Sequence, residues 1–165
     1  MSTSPVPPET VPAPPAAPAA GRIRPTALAI VRRGDDLLVY QGNDPALGET
    51  FYRPLGGGIE FGEKADEAVR REMREELAVE LSQVSLLSIM ENIFELFGRP
   101  HHEIVFLFEA RIDNPAVYEP GFIGEILDDP LPVLWKPLDA FSSGRDILYP
   151  RGLLDILAAH PVAPA

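Results

Sequence analysis

Two rhythms of apolar residues alternate along this chain. From Thr26 to Arg33, Leu28, Ile30 and Val31 sit in a run of extended-favouring residues that predicts a strand. Gly34-Asp35-Asp36 is a turn signal, and Leu37 to Gln41 returns as the second arm of a hairpin. Gly42 to Glu49 is polar, carries Pro and Gly, and predicts a loop. Phe51 to Leu55 predicts a short strand, at an edge or a strand end because of Pro54. Val84 to Phe97 is a long β segment, Gly98-Arg99-Pro100 a turn, and Ile104 to Ala110 a dense apolar strand expected to be central and buried. Asp113 to Pro132 predicts a long loop, a length usually functional or mobile. Val133 to Lys136 is a last strand, Leu138 to Phe141 a helical turn and Pro150 to Ala159 a terminal helix.

The second rhythm occupies Lys64 to Ala78. At about 100° per residue, Ala65, Val69, Met73 and Leu77 fall on one side of a helix, with Glu67, Arg70 and Arg74 opposite, facing water. Strands, helix, strands, helix is the order of an α/β (α+β) fold, a mixed sheet with helices packed on its faces. Phe51, Tyr52, Phe94, Phe97 and Phe122 are available for stacking on a base, although strand aromatics mainly pack cores. Trp135 is expected to pack beneath the last helix.

Composition adds boundaries. Met1 to Ala20 is nearly all Pro, Ala, Ser and Thr, too poor in bulky apolar side chains to offset ordering entropy. Residues 1–21 therefore read as a disordered, polyproline-like tail and 22–160 as one domain. The 165 residues, 45% hydrophobic and 24% charged, suit a single core. Absence of cysteine excludes disulfides and thiolate metal sites and fits a reducing cytosol. No apolar run reaches membrane-spanning length, and the N-terminus lacks secretory features, so a cytoplasmic protein without membrane attachment is expected. The net charge of −11 opposes non-specific nucleic-acid binding.

Candidate chemistry sits in one stretch, GGGIEFGEKADEAVRREMREELAV, from Gly56 to Val79. Glu72, Glu75 and Glu76 share a helix face, where like charges repel. Glu72 and Glu76 lie beside the apolar stripe, at the boundary between core and cleft. A divalent cation would compensate them, as would pairing with Arg70, Arg71 and Arg74 on a solvated helix. Gly56-Gly57-Gly58 and Gly62 let the backbone turn sharply and approach a ligand, and Glu60 and Glu63 add acids to the same place.

These residues resemble the Nudix box, G-x5-E-x7-R-E-U-x-E-E-x-G-U with U a bulky aliphatic. Gly57 matches the first glycine, Glu63 the first glutamate, Arg71-Glu72 the RE pair, Met73 the aliphatic, Glu75-Glu76 the paired acids and Val79 the final aliphatic. Ala78 stands where the family has its second glycine, which predicts a different helix ending. Leu55 stands where proline commonly precedes the double glycine. The resemblance implies a Nudix-like α/β/α sandwich with a mixed β-sheet. It also implies Mg²⁺-dependent hydrolysis of the diphosphate linkage of a nucleoside diphosphate joined to another moiety. Glu72, Glu75 and Glu76 are then metal ligands, with the Gly57 carbonyl a further one, and Mn²⁺ could replace Mg²⁺. Arg71 would orient Glu63 and the loop rather than touch substrate. The alternative is a Nudix-like domain that senses a nucleotide without turnover; its sign would be a missing box acid, and none is missing. A scaffold that recruits a partner through its Pro/Ala tail is a third reading.

The general base stays open between a box glutamate (Glu75 or Glu76) and a later acid, with Glu103 and Glu125 preferred over Glu119. Arg53, just before the glycine turn, suits bidentate phosphate recognition or an ordinary ion pair. His101 and His102 read as exposed turn histidines. The partner is a small nucleotide diphosphate, with nucleotide sugars, ADP-ribose and nucleoside di- or triphosphates all open. Glu95, Leu96 and Phe97 occupy places where ADP-sugar and dinucleoside-polyphosphate members carry Pro or Tyr, and the NADH-type SQPWPFPxS run is absent. A homodimer is implied by analogy with the family alone. Deleting Met1 to Ala20 is expected to leave steady-state turnover unchanged; a large loss would make the tail part of the site.

Overall fold

A computed structural model describes residues 21–161, so the expected tail lies outside the described residues apart from Gly21. Among the described residues, ten strands form two mixed sheets. The first has the order β5-β1-β7-β6, where β1 is Ile23–Ile30, β5 Gly56–Gly58, β6 Leu81–Leu96 and β7 Arg99–Ile112. The second runs β10-β4-β3-β9-β8, built from β3 (Asp36–Asp44), β4 (Glu49–Arg53), β8 (Ile123–Glu125), β9 (Pro132–Pro137) and β10 (Ile147–Leu148). The short β2 (Arg32–Arg33) pairs with β3. β1 with β7 and β4 with β10 are the parallel pairs; the other pairings are antiparallel.

Strands β1 and β3 read as near-continuous apolar runs because both faces are covered. Side chains alternate across a strand, so each feeds two cores. Ala27, Ala29 and Leu38 join Leu55, Val69, Met73 and Val133 in one core, beneath the helix α1 (Ala65–Leu77). Leu28, Ile30, Leu37 and Val39 join Val105, Leu107, Phe141 and Leu153 in the other, under α2 (Leu138–Ser142) and α3 (Leu153–Ala159). This layering is the expected sandwich. Val69 and Met73 are fully buried, each stabilising by roughly 1.5–3 kcal/mol; that stripe presses α1 onto the sheet and aims its flanks at the sheet's end.

Several local expectations change. Gly42–Asp44 and Glu49 are strand residues, since Asn43 and Asp44 pair with Thr50 and Glu49 and leave only a short connection. The β6–β7 reversal falls at Phe97-Gly98, both at positive φ (53° and 69°), so Arg99 and Pro100 belong to β7. Asp44 accepts the Phe97 N–H at 3.2 Å and anchors this turn. The long loop after Asp113 carries a 3₁₀ turn at Pro115–Tyr118 and the β8 strand, because β9 offers β8 an antiparallel edge. Trp135 packs not under α3 but against Tyr118, with Arg33 over its ring and its Nε1 donating to the Val117 carbonyl at 2.7 Å. Arg70 is half-buried and donates to the Leu81 carbonyl, rather than facing water.

Ala78 also departs from expectation. It adopts the left-handed conformation (φ 53°, ψ 38°) that the family's glycine would take, with its N–H bonded to the Arg74 carbonyl. The helix therefore ends in the usual way, and alanine bears the steric cost. Ala78→Gly should stabilise the fold by roughly 0.5–1 kcal/mol, read as a higher denaturant midpoint with an unchanged m-value. Destabilisation would show that the left-handed cap is wrongly assigned.

Candidate active site

The Gly56–Gly58 segment is not a free loop but a strand, antiparallel to β1 with Thr26 opposite Gly58 and Leu28 opposite Gly56. Two of its glycines are required by close approach. Gly56 has φ 129°, and a Cβ there would collide with the Ala27 carbonyl oxygen. A Cβ at Gly57 would lie 2.5 Å from the Glu72 carboxylate. Backbone and α1 thus meet at the point where the acids begin.

Arg71 holds this junction. Its Nε and Nη2 donate to the two Glu63 oxygens at 2.8 and 3.0 Å, and Nη2 also reaches the Gly58 carbonyl at 2.9 Å. Nη1 donates to Glu72 at 2.9 Å and to Glu75 at 3.0 Å. The hydrogen bonds with Glu63 raise the guanidinium pKa and keep it charged, while those from Arg71 hold Glu63 below the ordinary carboxylate range.

Glu76 is different. Its carboxylate accepts the Gly56 N–H at 2.9 Å. Burial pushes its pKa up to about 7, opposed by that bond and reinforced by Glu72. Its own backbone carbonyl accepts the Leu127 N–H at 2.9 Å, and Ile126 bonds Leu131 at 3.0 Å, which pins the connection after β8 beside the helix.

A cleft of about 320 Å³ results. It is lined by Glu72, Glu75 and Glu76 of the helix, by Gly56 and Gly57 of the glycine strand, and by Arg24, Thr26, Tyr40 and Arg53. Ile126, Asp128, Asp129 and Leu131 complete the lining. Arg53 donates to Glu103 at 3.1 Å, with side chains 15% and 4% exposed. Burial raises the Tyr40 hydroxyl pKa and keeps it neutral.

The expected residues are distributed accordingly. Gly57, Glu72, Glu75, Glu76 and Arg53 border the cleft, and Glu63 and Arg71 lie behind its acid wall. Glu103 is buried behind Arg53 and does not line the cleft; Glu125 is exposed on β8, also outside the lining. His101 stacks on Phe94 at 5.1 Å, and His102 pairs with Glu91. Sequence reasoning missed Arg24, Thr26, Tyr40, Asp128 and Asp129. The Asp-Asp-Pro run was visible, but only as part of a loop.

Among the described residues, no three acidic or histidine side chains converge as a ready-made metal cage. Arg71 neutralises Glu72 and Glu75 instead. The donors nonetheless suit a hard cation: they are carboxylate and carbonyl oxygens, and Glu76 is a buried acid beside two others that a positive charge would favour ionising.

Helix, glycine strand and acid-lined cleft in an α/β/α sandwich together define a recognisable class of domain. The NUDIX domain family model matches residues 22–127, and the chain belongs to the Nudix family. Its curated relatives include the NAD-capped RNA hydrolase NudC of Pseudomonas aeruginosa, 29% identical over 152 residues (87% of this chain, 49% of that protein). The NudC of Pseudomonas entomophila is 36% identical over 150 residues, covering 87% and 50%. The chain spans about half the length of these relatives. The fold is shared with a NUDIX hydrolase from Nitrosomonas europaea (TM-score 0.58, 17% identity, 83% and 87% covered). It is shared too with the MutT protein of Bacillus halodurans (TM-score 0.54, 23% identity, 82% and 80% covered).

Glu76 gives a pH test. Its pKa is higher folded (about 7) than in its ordinary, unfolded state (4.5), so the folded chain keeps a proton the unfolded one releases. The stability this contributes is full below pH 4.5 and lost as pH rises through about 7. In metal-free protein the thermal midpoint should fall between pH 5 and 8, and Glu76→Gln should flatten that fall. An unchanged slope in the variant would show that Glu76 is not the group responsible.

Proposed function

We propose that the chain is a Mg²⁺- or Mn²⁺-dependent hydrolase that splits the diphosphate linkage of a nucleoside diphosphate derivative. The observation that carries this reading is the cleft, whose lining sets three Nudix-box acids beside the Arg53 guanidinium. A diphosphate is polyanionic, and such a lining binds it only if the acids are themselves neutralised.

Gly57, Glu72, Glu75 and Glu76 would hold the cation, which when bound neutralises phosphate charge and lowers the pKa of water. The remaining work belongs to the protein. Arg53, fixed by the buried Glu103 carboxylate, presents a pre-ordered donor fork to a phosphate oxygen. Arg71 keeps the glycine strand and the α1 acids in one frame, and so acts on substrate only through them. Besides Glu72, the acids that border the cleft are Glu75, Glu76, Asp128 and Asp129, where an attacking water could give up its proton. Glu103 serves Arg53, and Glu125 opens the connection that carries the two aspartates.

NudC relatives point towards a dinucleotide-type diphosphate, but the chain lacks the SQPWPFPxS run, so the reading stays at the class of linkage. We place the protein in the cytoplasm, with small nucleotides as partners and with dimerisation a matter for measurement. Release of nucleoside monophosphate from a nucleotide panel should require Mg²⁺ or Mn²⁺. Glu76→Gln should lower that release on the order of 100-fold with circular dichroism unchanged. Near-wild-type rates in the variant would sink the metal assignment, and tight binding without any turnover would favour a sensor.

A further inference from the structure

Arg24 is a cation of the cleft with no counter-charge among the described residues. Among the described residues its guanidinium makes no ion pair and no side-chain hydrogen bond, although it lines a cleft dominated by acids. Arg53, by contrast, is paired with the buried Glu103 at 3.1 Å. Arg24 stands at the mouth: residues 21–25 are exposed, and the strand becomes buried at Thr26. It lies flat along Gly58, where a Cβ would sit 3.0 Å from Nη2 and 3.2 Å from Nε. That glycine keeps a groove open for the guanidinium.

A second, independent feature lies two residues along the same strand, hence on the same strand face. Thr26 is 1% exposed, lines the cleft, and its Oγ1 is buried with no hydrogen-bond partner. A buried hydroxyl left unbonded costs free energy that an arriving acceptor returns. An unpaired guanidinium and an unbonded hydroxyl together call for a group that carries negative charge and only accepts hydrogen bonds.

We infer that Arg24, with Thr26, binds a second anionic group of the substrate, a phosphate other than the one attacked. The chain on this reading prefers phosphate-terminated nucleotides to those ending in a neutral sugar. The inference rests on the diphosphate reading of the same cleft and adds the substrate class. It assigns Arg24 a specificity role, with its effect on binding rather than on the chemical step.

The test is isothermal calorimetry on the full chain with Mg²⁺, using a methylene-bridged nucleoside triphosphate and a methylene-bridged nucleoside diphosphate sugar. Arg24→Ala should weaken the triphosphate analogue by about tenfold or more and leave the sugar analogue unchanged. Arg24→Lys should recover part of the loss, since it keeps charge without the fork. Thr26→Val should weaken the same ligand less. Equal losses for both ligands, or no loss for either, would overturn the role of Arg24 while leaving the hydrolase reading intact. Failure of the wild-type chain to bind either analogue would overturn both.

Discussion

The guanidinium of Arg71 is the joint on which this site depends. One planar group bonds the loop acid Glu63, the strand carbonyl of Gly58 and two helix acids, Glu72 and Glu75. These partners come from three consecutive pieces of chain: a strand, a loop and a helix. The pairs are partly exposed, so their contribution to stability is small. Their contribution to geometry is large, because a planar fork with fixed donors permits few arrangements. Without it, Glu72, Glu75 and Glu76 would repel each other along one helix face.

That joint can act only because the two cores bring its parts within reach. Alternate residues of β1 and β3 anchor helices on opposite faces, and the buried Val69–Met73 stripe decides how α1 is rolled. The roll sets Glu72 against Gly57 closely enough that no side chain fits between them. The helix then ends on Ala78 in a left-handed conformation, which frees Val79 to enter the core and β6 to start. A strained residue is tolerated there because packing on either side leaves the chain no other exit.

Charge in the cleft is arranged by pairing. Burial lets Glu76 hold its proton to about pH 7. Glu75 is half exposed and Glu72 mostly buried, both bonded to Arg71. Arg53 is backed by a buried carboxylate, and Arg24 has no such partner among the described residues. The connection after β8 completes the enclosure through a single backbone bond, from Leu127 to the Glu76 carbonyl, so the helix that carries the acids also positions the loop that faces them.

Much of this was legible in the residue order. The helix from its apolar period, the hairpin arms, the acids of the Nudix box and the buried strand around Val105 to Ala110 all depend on near neighbours in sequence, whose spacing carries the information. Glu103 and Glu125 illustrate the limit: as acids they are alike, yet one is buried on Arg53, distant in sequence, and the other is exposed on an edge strand. Arg24, Thr26, Tyr40 and Asp128-Asp129 carry no local pattern. What brings them to the acids is strand pairing, β1 with β5 and β8 with β9, and a register is set by which faces are buried rather than by any one residue. The sequence by itself determined the row of box acids, because a helix arranges carboxylates by spacing alone. The rest of the cleft lining was decided only by the tertiary structure, because it is assembled from separate strands that nothing but the shared core holds together.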